Sequence, residues 1–129
     1  MLEVRNWKEK TLIQTFKDLE VYQRSYRLAL EMHKLSFSLP EVERYELRSQ
    51  MRRAAVSIPL NIAEGYGRKS SIAEFKHFLR NSLGSCNEMQ VLLNMIKDLG
   101  YIKEEIYKEY SSSYDILGRQ LNKLIQTWK

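Results

Sequence analysis

Arg52-Arg53-Ala54-Ala55-Val56-Ser57-Ile58-Pro59-Leu60-Asn61-Ile62-Ala63-Glu64-Gly65 reads as the second half of a helix with a proline inside it. Proline in a helix interior removes one hydrogen bond and costs about 3 kcal/mol unless the surroundings absorb it. Helical spacing nevertheless persists on both sides of it. Leu47, Met51, Ala54, Ala55, Ile58 and Ile62 form one apolar stripe, and Val56, Leu60 and Ala63 lie roughly opposite. A third stripe, Gln50, Arg53, Ser57, Asn61 and Glu64, is polar. Arg53 and Glu64 are about 16 Å apart along the axis at ~1.5 Å per residue, so they cannot pair with each other. This stripe is either a ligand cleft or a hydrogen-bonded network that fixes register around Pro59, and the network is the favoured reading.

Period and punctuation mark three further helices, making four in all. The first is expected over 19–38, with Asp18 as its N-cap, Phe16 as a staple residue and Leu39-Pro40 as its stop. The proline-bearing helix is expected over 41–64, leaving through Gly65 and Gly67. The third opens on Ser71-Ile72-Ala73-Glu74, a Ser-x-x-Glu capping box, and closes at Gly100. The fourth is expected over 103–128. Short links between long helices predict an all-α, antiparallel up-down-up-down four-helix bundle over 16–129, preceded by an extension over 1–15.

The third helix carries one inward seam, Phe75, Leu79, Ser82, Cys86, Met89, Leu93 and Ile96. The fourth carries another, Ile106, Tyr110, Leu117, Leu121, Leu124 and Trp128. The first helix instead has two stripes. One is Leu19, Tyr22, Tyr26, Ala29, His33 and Phe37; the other is Val21, Leu28, Met32, Leu35 and Leu39. Two apolar faces on each of two helices point to self-association, with Leu28, Met32, Leu35, Val56, Leu60 and Ala63 as the expected interface. The alternative is that these aliphatic side chains are simply half exposed.

The chain has 129 residues and a net charge of +5. Between Arg44 and Arg80 stand eight basic residues and three acidic ones, so this third of the chain holds the entire excess. Arg44, Arg48, Arg52, Arg53, Arg68, Lys69, Lys76 and Arg80 are the candidate contacts to RNA or DNA phosphates, which guanidinium and ammonium groups bind without sequence preference. A solvated charged surface is the competing reading for each residue taken singly.

Catalytic constellations are missing. His33 and His77 have no second histidine at metal-ligand spacing, and the lone Glu-x-x-His pair, Glu74 and His77, does not make the two that a ferritin-like site needs, so neither metal nor cofactor is expected. Cys86 is the only cysteine, which excludes an internal disulfide and fits a reducing cytoplasm. Its place on the inward seam reads as core. Gly65-Tyr66-Gly67-Arg68-Lys69-Ser70-Ser71 is superficially like a phosphate loop, but its spacing fails and no strand precedes it. No secretory leader and no membrane span are expected.

Phe16-Lys17-Asp18-Leu19-Glu20-Val21-Tyr22-Gln23, Ser49 to Pro59, Asn61-Ile62-Ala63-Glu64-Gly65, Phe75-x-x-Phe78-Leu79 and Asp98-Leu99-Gly100-Tyr101 together resemble the four-helix-bundle proteins also called 23S rRNA intervening-sequence proteins. Leu60, where that family commonly has a small polar residue, and the N-terminal extension depart from the pattern. The resemblance implies a ring-like homopentamer with no established enzymatic reaction. A related branch serves diversity-generating retroelements by binding nucleic acid and a reverse transcriptase. The sequence reading is therefore a non-catalytic oligomer binding structured RNA or DNA. The alternative is a protein-interaction scaffold such as a reverse-transcriptase accessory subunit.

Overall fold

Burial of one apolar face is what holds a helix of ordinary propensity in water, and each of the four helices ends where such a face ends. The structure, a computed structural model, describes residues 5–6 and 11–129. Within the expected extension over 1–15, residues 1–4 and 7–10 lie outside the described residues. A two-residue antiparallel pairing joins β1 (Arg5–Asn6) to β2 (Thr11–Leu12). The bundle follows: α1 (Glu20–Ser36), α2 (Leu47–Gly67), α3 (Ile72–Asp98) and α4 (Glu104–Thr127).

Hydrogen bonds between helices set the topology. On α2 and α3, the Ser57 and Ser85 hydroxyls share a bond of 2.6 Å, and Ser82 Oγ donates to the Ile58 carbonyl at 2.9 Å. The residue numbers run in opposite directions, so the pair is antiparallel. On α3 and α4, the Gln90 amide donates to the Ser111 carbonyl at 2.7 Å and accepts from the Ser111 hydroxyl at 2.8 Å. Arg24 Nε donates to Gln120 Oε1 at 3.0 Å, closing α1 on α4. The result is an all-α, up-down-up-down four-helix bundle with Pro59 inside α2.

Both single-face seams are where periodicity puts them. Every member of the α3 seam is buried, as are Leu117, Leu121 and Trp128 of the α4 seam. Tyr114, left out of the α4 seam, is buried among them.

Three element boundaries differ from expectation. Asp18 does not cap α1. It closes the preceding 3-10 turn (Phe16–Asp18), where its carboxylate accepts from the Gln14 and Thr15 amides at 2.9 Å each and Thr15 is the N-cap. Those amides also hold the Asp18 carboxyl below the usual carboxylate range. α1 starts one residue later, from Leu19, without a side-chain cap.

α2 does not begin at Glu41. Residues Glu41–Glu43 form one 3-10 turn, and the helix starts at Leu47. Val42 and Tyr45 project into solvent there, so the segment has no face to bury.

Gly65 does not end α2, which continues to Gly67. Tyr66 holds that last turn, buried against Phe75 and Trp128 at ring separations of 6.0 and 6.3 Å. The function of Gly65 is instead close approach: a Cβ there would lie 2.6 Å from Phe78 Cβ and 3.1 Å from Phe75 Cδ1. At the far end of α3 the expected glycine exit is present, with Gly100 at φ 81°.

The two stripes of α1 take the opposite roles from those expected. Leu28 and Met32 are 3% and 0% exposed within the bundle's own core, and Leu35 is half-buried against it. They are therefore not a free interface. The other stripe is mixed: Leu19 is buried and Tyr22 and Ala29 pack against the core, while Tyr26 and His33 are exposed and Phe37 is 59% exposed. The Tyr26 hydroxyl and the His33 imidazole tolerate that position better than Leu and Met do, and Phe37 is shielded on one face by the Arg52 guanidinium at 5.6 Å. On α2, Val56 is exposed, Leu60 is 62% exposed and Ala63 is partly covered.

Candidate nucleic-acid interface

Arg48 and Arg44 belong to the α1–α2 connection more than to any ligand. The Arg48 guanidinium donates through Nε (3.2 Å) and Nη2 to the Leu39 carbonyl, and its side chain is only 13% exposed. Two donors on one carbonyl tie the end of the first hairpin arm to α2. Both arginines also reach Glu41, Arg44 at 3.2 Å and Arg48 at 3.4 Å.

Arg68 is similarly engaged. It binds Glu64 at 2.9 Å and Glu74 at 3.5 Å, and its guanidinium lies over the Phe78 ring at 5.4 Å. Exposed pairs of this kind contribute only about 0.2–1 kcal/mol. They still offset the local charge, so Arg68 presents little net field to a polyanion.

Among the described residues, Arg52, Arg53, Lys69, Lys76 and Arg80 form no ion pair. Arg52 lies over the exposed Phe37 ring at 5.6 Å, and Lys69 Nζ over Tyr66 at 4.2 Å. Arg53 and Lys69 are separated by about 24 Å of helix at ~1.5 Å per residue. The eight candidates are thus not one patch. Lys69, Lys76 and Arg80 share the α2–α3 end, Arg52 and Arg53 lie midway, and Arg44 and Arg48 occupy the opposite end. Sequence reasoning passed over Arg27 and Lys34, exposed on α1, because neighbouring acids cancel them in a charge count.

The polar stripe of α2 divides too. Ser57 donates to the Ala54 carbonyl at 2.8 Å, and the Asn61 amide donates to the Ser57 carbonyl at 2.8 Å. With Ser82 on Ile58, these donors bond the carbonyls of Ala54, Ser57 and Ile58 in the turns around Pro59, whose missing amide leaves the Ala55 carbonyl without its helical partner. This is the network half of the stripe. Gln50, Arg53 and Glu64 face solvent, Glu64 being held by Arg68.

The single thiol is buried. Burial pushes the Cys86 thiol up to about 12, which leaves it protonated near neutral pH. Among the described residues, no group of three or more His, Cys, Asp or Glu side chains is placed to hold a metal ion, and no helix is long and apolar enough to cross a membrane.

Comparison with known proteins agrees with this architecture. A crystal structure of a protein of unknown function from the S23 ribosomal protein family of Bacteroides thetaiotaomicron VPI-5482 superimposes with a TM-score of 0.76 at 25% identity. The match covers 83% of this chain and 96% of that one. No curated protein matches the sequence. The family model described as 23S rRNA-intervening sequence protein matches residues 17–123, nearly the whole bundle. The chain belongs to the 23S rRNA-intervening sequence protein family.

Proposed function

We propose that the protein is a non-catalytic helical oligomer that binds structured RNA or DNA through its unpaired basic side chains. The observation that carries this reading is the set Arg53, Lys69, Lys76 and Arg80: cations without ion pairs, in the third of the chain that holds the whole net charge. Arg44, Arg48 and Arg68 contribute less, being committed to the fold or to carboxylates. The names of the family and of the S23 structural relative point to the same class of partner. Filter binding to a hairpin RNA over a salt series tests it. Affinity should fall linearly on a log–log plot, and changing Arg53, Lys69, Lys76 and Arg80 to Glu should abolish it. Affinity indifferent to salt overturns the reading.

Self-association completes the proposal. Arg52 over Phe37 fixes the level of α1 against antiparallel α2. Counting equal rises along both helices sets Val56 beside His33 and Leu60 beside Ala29. Val56, Leu60 and Ala63 thereby join Tyr26, Leu30 and Phe37 in one exposed apolar face. A homopentamer, as the family resemblance implies, would cover this face and repeat the basic residues around a ring. Leu60→Glu leaves the core untouched, so light scattering should find a folded single chain in place of the wild-type assembly. A variant of unchanged mass would exclude the α1/α2 face as the contact.

A further inference from the structure

A notch of about 160 Å³ opens between α3 and α4, away from the apolar α1/α2 face. Its floor is made by Leu83, Cys86 and the buried Tyr114, whose hydroxyl forms no hydrogen bond among the described residues. Asn87 stands on one wall and Asn122 on the other. Both amides are exposed and, among the described residues, neither makes a hydrogen bond within the chain. One end is closed by Gln90, whose amide donates one hydrogen bond to Ser111 and accepts one from it. Gly118 keeps the mouth open, since a Cβ there would meet only Leu83 Cδ1 at 3.7 Å. The rim carries Arg119, paired with Asp115 at 3.2 Å.

A floor of aliphatic, thiol and phenol groups between two free amides suits a planar heterocycle whose edge both donates and accepts hydrogen bonds. Nucleobases have that chemistry, and carboxamide side chains read it in pairs of bonds. The surroundings favour a base that is still attached to its backbone. Lys76, Arg80, Leu83 and Asn87 follow one another at spacings of four, three and four, one stripe of α3. Arg80 therefore lies about 10 Å from Asn87 along the axis at ~1.5 Å per residue, with Lys76 a turn further. A strand that seats a base in the notch would lay its neighbouring phosphates on these two cations.

We infer that the α3/α4 notch receives one unstacked nucleobase of a bound RNA, its edge held by Asn87 and Asn122 and its flanking phosphates by Arg80 and Lys76. This rests on the nucleic-acid reading above and adds a preference to it: unpaired bases in loops and bulges can be splayed out, whereas stacked ones cannot.

The probes are a hairpin RNA with a single-nucleotide bulge and the same hairpin fully paired. The wild-type protein should bind the bulged form at least tenfold more tightly. Gly118→Leu, which fills the notch, and Asn122→Ala, which removes one wall's amide, should each erase that preference while retaining paired-hairpin affinity and its salt dependence. Asn122 is exposed, so its variant keeps the test decisive if Gly118→Leu folds poorly. Equal wild-type affinity for both hairpins, or a preference that survives both variants, overturns the notch and leaves the nucleic-acid reading standing. Failure to bind either hairpin at low salt overturns both.

Discussion

Trp128→Ala should destabilise the bundle by about 3–5 kcal/mol, the range for emptying a buried aromatic site. Trp128 follows the last residue of α4 and is 6% exposed. Its ring meets Phe75 edge-on at 4.7 Å, and Tyr66 packs against both. Three helices thus converge on one aromatic cluster, which carries geometry-dependent attraction beyond the area it buries. The final turn of α4 otherwise packs only the half-buried Leu124 and Ile125 against the core, so this ring contact is its buried anchor. A denaturation midpoint within error of wild type would show that the cluster tolerates the void. Trp128→Phe should recover most of the loss, since a ring remains to meet Phe75.

Gly65→Val should cost about 3 kcal/mol, at the upper end of what overpacking does to a tight interface. Two effects compete at that position. Replacing a helical glycine gains up to about 1 kcal/mol from backbone entropy and propensity. Against this, the new Cβ would sit 2.6 Å from Phe78 Cβ and 3.3 Å from the Phe75 carbonyl oxygen. Neither is the free end of a flexible chain, so α2 and α3 must separate. Sterics win. Gly84→Ala is the internal control: it lies within α3, and a Cβ there meets nothing within 4 Å. Only the propensity gain remains, and the melting temperature should rise. If both variants shift stability in the same direction, close approach at Gly65 is not the cause.

These glycines show where periodicity stops being informative. A seam such as Phe75, Leu79, Ser82 and Cys86 declares its burial through spacing alone, because one face of a regular helix must be covered. Spacing could not say that Gly65 faces a neighbouring backbone rather than ending a helix, since both uses select glycine. The same limit applies to α1. Its two stripes were legible, but which one faces inward depends on how α2 and α4 pack around it. Hence Leu28 and Met32 exchange roles with Tyr26 and Phe37.

Charge was legible only as a sum. The excess between Arg44 and Arg80 is real, yet a count cannot see that Arg48 bonds the Leu39 carbonyl or that Arg68 lies between two glutamates. The notch between α3 and α4 was invisible for a related reason. Asn87 and Asn122 are 35 positions apart and become neighbours only when two antiparallel helices bring them level.

Arginine at position 48 serves the fold, whereas the proposed function is what would make demands on the basic residues at 76 and 80. A guanidinium can bring two donors to one carbonyl and an ammonium cannot match that fork, so lysine at 48 would keep the charge and loosen the hairpin between α1 and α2. If the proposed nucleic-acid binding were lost, the fold would still require Arg48, while positions 76 and 80 would be left to drift.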